Sequence, residues 1–488
     1  MFLGIDLGTS GIKLVLTDNS GAIVDSASSA FEVSRPKPLW SEQNPQDWWD
    51  GLCTAMDRLN AQYDLTQVKA IGFAGQMHGA TLLDKDQKVI RPAILWNDGR
   101  CEAQCVQIEE LVPAAREITG NIIMPGFTAP KLLWVKQNEP ELFARIDKVL
   151  LPKDYLRLLL SGDFATDMSD AAGTMWLDVD RRCWHTDMLE ACGLNESNMP
   201  TLYEGSQITG VLSTELAKRW NMNRVPMVAG AGDNAAGAIG VGIVKPGQAM
   251  LSLGTSGVYF AVSEGFRSNP ESAVHSFCHA LPNTWHLMSV MLSAASCLQW
   301  YGEKIAKRGV SDLLADLEQA QLENSIEHQH CPVFLPYLSG ERTPHNNPNA
   351  SGAFFGLTHS SDQVTLTHSV LEGVTFGLAD GVDALHASGV KVDEITLIGG
   401  GAKSPYWRQL IADVLQRPVT YRQGGDVGPG LGAARLAQLA IEPGTKLEHI
   451  CPQPQLDSVY QPNPNRANIY AKRRVKFAAL YKVCRDIF

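Results

Sequence analysis

Leu7-Gly8-Thr9-Ser10-Gly11, within IDLGTSGIKLVLTD at 5–18, occurs twice in this chain. The second copy is Leu253-Gly254-Thr255-Ser256-Gly257, within LSLGTSGVYFAVSE at 251–264, 246 positions further on in a sequence of 488 residues. In both copies a short apolar strand runs into Gly-Thr-Ser-Gly and then into a second, alternating strand. That is the pattern of a β-hairpin with a glycine-rich turn. Two unrelated tight turns would account for a single five-residue match. Matching hairpins half a chain apart point instead to two domains of one fold, each opening with the same device. The first domain is expected over 1–244 and the second over 245–488, joined at the Pro-Gly punctuation of VKPGQ at 244–248.

Outward from the hairpins, strand-like and helix-like runs alternate. Strands are expected at 70–74, 225–229, 333–336 and 394–398. Helices are expected at 45–59, 214–220 (with Ser213 as N-cap), 364–386, 405–415 and 467–483. Such alternation implies α/β layers.

Composition sets the class. Apolar residues make up 44% and charged residues 19% of the chain, which suits globular domains. A chain of this length exceeds what one core supports and fits two domains. No apolar run reaches the roughly 18 residues that cross a bilayer. Asp6 interrupts the opening apolar segment and no basic stretch precedes it, so a secretory leader is not expected. The expected location is cytoplasmic. Net charge is −11, and the longest basic cluster is the KRR at 472–474, so neither nucleic acid nor membrane is expected as a partner. Ten cysteines show no repeating spacing. Cys101 and Cys105 lie one helical turn apart with no second pair to complete a zinc site. The run Glu327-His328-Gln329-His330-Cys331 reads as a solvated loop rather than a metal site.

Four strand-to-turn junctions could hold a nucleotide, and Gly-Lys of a P-loop occurs nowhere. The hairpins offer Gly8, Thr9, Ser10 and Gly254, Thr255, Ser256, where adjacent N–H groups can cradle an anion. The third junction is ITLIGGGAKSPYW at 395–407. There Gly399, Gly400 and Gly401 leave a side-chain-free surface for ribose or purine, and Ser404-Pro405 begin a helix. The fourth, VPMVAGAGDNAAGAIG at 225–240, contains Gly230-x-Gly232-x-x-Ala235. A dinucleotide site of that type needs an acidic residue about 20 positions on. After Asp233 the next is Glu264. Asp233 itself sits among small residues at a strand mouth, either as a helix cap or as a functional acid.

Two LGTSG hairpins, a Gly-Asp-Asn turn and a late Gly-Gly-Gly-Ala turn give the chain an end-to-end resemblance to the FGGY carbohydrate kinases. PGFTAPKLLWVKQNEPE at 125–141 and SGAFFGLTHSSDQVTLTHSVLEG at 351–373 resemble signatures of that family. Within it, the resemblance is greatest to the bacterial members that phosphorylate D-xylulose. It is carried by PLWSEQNPQDWW (38–49), GQMHGATLLD (75–84), RPAILWNDGR (91–100), LPKDYLRL (151–158), SDAAGTMWLD (169–178) and PYLSGERTPHNNP (336–348). Glycerol kinases usually carry Arg-Glu where this chain has Met77-His78.

The resemblance implies two actin/hexokinase-like (ribonuclease H-like) α/β domains flanking a central cleft. It also implies ATP-dependent phosphorylation of D-xylulose at O5, with Mg²⁺. The same family resemblance implies that Asp233 is the base and that Asp6 faces the Mg²⁺, directly or through water. Gly8, Thr9, Ser10, Gly254 and Thr255 would bracket the phosphates, and Gly399, Gly400 and Gly401 would receive the adenosine. Met77, His78, Trp96, Asp233 and Asn234 would hold the sugar. Lys13 is read as an exposed strand lysine or a phosphate contact, and Arg342 as able to close an interdomain ion pair or touch substrate. The expected partners are the sugar and ATP, with a homodimer left open. The competing readings are a kinase for ribulose or another polyol, an actin-like ATPase module working through partner proteins, and an oxidoreductase.

Overall fold

A computed structural model describes residues 1–323, 325–424 and 428–488. The first sheet has strands β1 (Phe2–Leu7), β2 (Gly11–Thr17), β3 (Ile23–Ala30), β4 (Ile71–Gly75), β5 (Ile208–Val211), β6 (Pro226–Val228) and β7 (Ala231–Gly232). Its order is β5-β6-β4-β1-β2-β3, with β7 also paired to β4. The second sheet has β8 (Gly247–Leu253), β9 (Gly257–Ser263), β10 (His275–Cys278), β11 (Trp285–Met291), β12 (Val392–Ile398), β13 (Val419–Arg422) and β14 (Leu456–Tyr460). Its order is β10-β11-β9-β8-β12-β13-β14.

The two sheets repeat one pattern. In each, the glycine hairpin is antiparallel, and its first strand runs parallel to a later central strand: β1 beside β4, β8 beside β12. The internal echo in sequence is therefore an echo in space. β1 and β4 are almost wholly buried, as expected of parallel strands covered on both faces.

The helices begin where their caps dictate. Asn44-Pro45 opens α1 (Pro45–Gln62), with the Asn44 side chain accepting from the Gln46 N–H. Further helices are α2 (Thr128–Asn138), α3 (Pro152–Ser161), α4 (Met168–Ala172), α5 (Asp233–Gly240) and α6 (Gln363–His386). The last three are α7 (Pro405–Leu415), capped by Ser404, α8 (Gly428–Ile441) and α9 (Pro464–Cys484), capped by Asn463. Ser213 caps a helix over Thr214–Arg219, as its sequence predicts.

α8 lies late in the chain yet packs on the first sheet, against β1, β2 and β4, and against α5. Its approach is close enough that only glycine fits. A Cβ at Gly4 would collide with the Gly430 carbonyl, one at Gly72 with the Ala433 carbonyl, and one at Gly432 with the Ala236 carbonyl. A further apolar core joins residues of both halves, including Phe127, Trp176, Phe260 and Phe277.

The stretch 327–331 differs from the solvated loop expected of it. His328 Nδ1 lies 3.2 Å from His368 Nε2, and Cys331 is buried. The histidine and thiol pack onto α6, and no group of three or more metal-ligating side chains exists among the described residues.

Candidate active site

β1 carries Asp6 one residue before the first glycine turn, and β7 delivers Asp233 to the first position of α5. The two carboxylates share one environment. Burial first, and then the charge of Asp233, push Asp6 up to about 7, against the opposing effect of Lys13. Burial pushes Asp233 up to about 6, although its oxygen accepts the Asn234 N–H at 2.7 Å and the Asn234 Nδ2–H at 3.0 Å. Asp233 is thus ionised at neutral pH and basic enough to take a proton from an alcohol.

The backbone beneath Asp233 is fixed from below. The Gly232 N–H donates to Ser169 Oγ at 3.1 Å, and Ser169 Oγ–H donates to Asp167 Oδ2 at 2.5 Å. Asp167 caps α4 and pairs with Lys153 at 2.7 Å. Lys153 also meets Asp154 at 2.7 Å and Asp170 at 3.1 Å, every one of these side chains being fully buried. Arg157 completes the cluster on Asp154. Burial holds Asp170 well above the carboxylate range despite Lys153. A buried charge is tolerated only with such partners.

The other end of α4 meets His78. His78 Nδ1 donates to the Gly173 carbonyl at 2.8 Å, immediately after α4. His78 sits at φ 69°, a left-handed conformation that costs a non-glycine residue stability. Its carbonyl is held by Lys131 Nζ at 2.8 Å and by Thr128 Oγ1 at 3.2 Å. Burial pushes the imidazole down to about 3, so His78 is neutral and hydrogen-bonds without carrying charge.

Met77, His78, Trp96, Asp233 and Asn234 line one cavity of about 210 Å³, together with Ser256 and Val258 of the second hairpin. Its other walls include Arg342, which the sequence offers as an ion-pair or substrate residue, and Phe127, His275 and Phe277, which it does not single out. The first hairpin borders this cavity through Trp96, whose Nε1–H donates to Thr9 Oγ1 at 2.9 Å. The Thr9 hydroxyl in turn lies 3.1 Å from Gln76 Oε1, so it serves to seat Trp96.

A second cavity, of about 650 Å³, is lined by Leu253, Gly254 and Thr255 together with Gly400, Gly401 and Trp407. Its far wall comes from Ala295–Trp300 and Val310–Leu322, segments without motif character. Gly399 takes φ 88°, and a Cβ there would lie 2.8 Å from the Leu253 carbonyl oxygen, so this turn admits only glycine. Gly400 faces open space.

The Gly254-Thr255-Ser256 turn separates the cavities, with Thr255 on one side and Ser256 on the other. Among the described residues, the N–H groups of Thr9, Ser10, Thr255 and Ser256 have no protein acceptor. Free N–H groups on a glycine turn are what a phosphate chain requires.

The profile of the N-terminal domain of the FGGY family of carbohydrate kinases matches residues 1–240, and that of its C-terminal domain matches 249–441. The chain belongs to this family. This FGGY kinase is 60% identical over 483 residues to a xylulose kinase of Escherichia coli K12, covering 99% of each chain. It is 56% identical to a xylulose kinase of Klebsiella pneumoniae, over 99% of this chain and 98% of that one. A crystal structure of a xyloylose kinase from Brucella ovis superposes with a TM-score of 0.95 at 46% identity, over the full length of both chains. A kinase of this family is a phosphotransferase acting on a sugar, and the two cavities meeting at one turn suit that reaction. No helix among the described residues is long and apolar enough to cross a membrane.

Proposed function

We propose that this FGGY kinase transfers the γ-phosphoryl group of ATP to O5 of D-xylulose. The observation that carries the reading is the turn Gly254-Thr255-Ser256, shared between a glycine-floored cavity of nucleotide size and a small cavity holding Asp233. A phosphate chain laid along that turn would reach from one cavity into the other. That relatives matching this chain end to end are xylulose kinases supports the choice of sugar.

In this reading Gly400 and Gly401 take the adenosine, while Ser10 and Thr255 contribute free turn N–H groups to the phosphates and Gly8 and Gly254, whose own N–H groups close the turns, let the backbone come close. Phosphoryl transfer needs in-line placement and charge neutralisation more than covalent help. His78 and Asn234 orient the sugar, Met77 and Trp96 wall its carbons, and Asp233 accepts the O5 proton as the bond to phosphorus forms.

Two desolvated carboxylates, with the charge of Asp233 adding to the proton affinity of Asp6, are a fitting place for a divalent cation. Asp6 would hold Mg²⁺, directly or through water, and the ion would supply positive charge to the phosphate oxygens. All ten cysteines are free thiols, which supports a reducing, cytoplasmic setting.

A coupled ADP-release assay over ketoses, polyols and aldoses tests the substrate. D-Xylulose is expected to give the highest kcat/KM. A clear preference for glycerol or L-ribulose overturns the reading.

A further inference from the structure

Phosphorylating O5 of a 2-ketopentose constrains the rest of the sugar. The furanose ring of such a sugar closes by attack of O5 on C2. A molecule with O5 free for transfer is therefore the open-chain form, and its C2 is a true carbonyl. A hydroxyl both donates and accepts hydrogen bonds, whereas a carbonyl oxygen only accepts. Its best partner is a group that only donates.

The tautomers in the small cavity can be worked out. His78 Nδ1 donates to the Gly173 carbonyl, which leaves Nε2 as an acceptor. The Asn121 amide donates through Nδ2 to the carbonyls of Thr119 at 2.7 Å and Ser276 at 2.9 Å, so its oxygen faces His275 Nδ1 at 3.1 Å. His275 Nδ1 therefore carries the proton, and Nε2 accepts from Arg342 Nη1 at 3.4 Å. Burial, with Arg342 and His78 nearby, holds His275 well below its usual range, consistent with this neutral form. The Trp96 N–H is committed to Thr9, and the Asn234 amide, with one N–H on Asp233, is held beside the base at the O5 side.

Arg342 remains. Its guanidinium lines the cavity and forms no ion pair among the described residues; the neighbouring Glu341 carboxylate, hydrogen-bonded through Oε1 to the backbone N–H groups of Leu292 and Arg342, acts on it only through space. Beyond the single contact to His275, its N–H groups have no protein acceptor among the described residues. Arg342 reaches the cavity beside His275 of β10, whereas Asp233 enters it at the start of α5, held by Asn234.

We propose that Arg342 reads the C2 carbonyl oxygen of an open-chain ketose and sets the preference for ketoses over the matching pentitols. This rests on the ketopentose reading above. The sugar then spans the molecule, with O5 on Asp233 of the first half and C2 on Arg342 of the second.

The test compares wild type, Arg342→Met and Arg342→Lys on D-xylulose and on its two reduction products, xylitol and D-arabinitol. Loss of a charged hydrogen bond in Arg342→Met is expected to cut kcat/KM for D-xylulose about ten- to hundredfold. The pentitols and the KM for ATP should change by no more than about twofold, so the ketose-to-pentitol ratio falls by roughly tenfold or more. Arg342→Lys should recover part of the loss. Wild type that does not use D-xylulose overturns the substrate reading and this one with it. Wild type that does, with an unchanged ratio in Arg342→Met, overturns this inference alone.

Should the methionine variant fail to fold, wild type answers directly through D-xylulose labelled with ¹³C at C2 and bound alongside a non-hydrolysable ATP analogue. A ketone resonance displaced downfield supports the assignment. A resonance in the hemiketal region, or an undisplaced ketone, overturns it.

Discussion

In the proposed reaction Asp233 and Asp6 concentrate the chemistry in two side chains. Asp233→Ala is expected to lower sugar phosphorylation by at least about a thousandfold while ATP still binds, as read by nucleotide titration and steady-state assay. Near-wild-type turnover would remove Asp233 from the role of base. Because that base works ionised, kcat/KM for the sugar should fall as pH drops through about 6, the value to which burial raises Asp233. Stability runs the other way. Asp6 is raised from 3.8 to about 7, so between those values the folded state holds a proton that the unfolded chain has lost. Stability is then lost as pH rises through that window. In the metal-free protein, Asp6→Asn should match wild type in Tm near pH 4 and exceed it near pH 8; a difference flat in pH would contradict this. Asp6, Asp233 and Met77-His78 can be singled out in sequence because each lies at a strand-to-turn junction and the family resemblance gives it a role. Arg342 stands out there without a settled role, and His275, Lys131 and Ser169 do not stand out, since their neighbours come from distant segments that no local pattern links.

Short elements decide how firmly those side chains are held. α4 has one turn's worth of residues, yet Ser169 at one end supports Gly232 and Gly173 at the other receives His78. Ser169→Ala removes the acceptor for the Gly232 N–H and the donor to Asp167. Turnover is expected to drop about tenfold with little change in the KM for ATP or in Tm; Ser169→Thr should restore part of it. Element boundaries marked by an Asn-Pro or Ser-Pro start were read from sequence almost to the residue, as at α1 and α7. α8 was left unassigned. Its glycines and alanines give little helical signal, and their meaning appears only against the glycines of β1 and β4. Gly432→Ala would drive a methyl group into the Ala236 carbonyl and is expected to cost roughly 1–3 kcal/mol, measurable by denaturant unfolding.

At the scale of the molecule, the repeated hairpin was the most informative signal in the sequence. It implied duplicated sheets, and the two cavities lie on either side of the second hairpin's turn, with the first hairpin reaching the smaller one through Trp96. What sequence could not supply was the second cavity's far wall, since any amphipathic helix would serve there. A sugar held by both halves favours the closed arrangement, so D-xylulose with a non-hydrolysable ATP analogue should reduce the radius of gyration in solution scattering, and an unchanged value would argue against closure. One more consequence belongs to α8. The first sheet begins at Phe2, yet the helix that covers it starts at Gly428. During synthesis the opening strands must wait, one glycine-lined face bare, until most of the polypeptide has left the ribosome. A nascent chain stalled near residue 244 should therefore be readily digested by protease and held by chaperones, and only release of the completed chain should bring resistance.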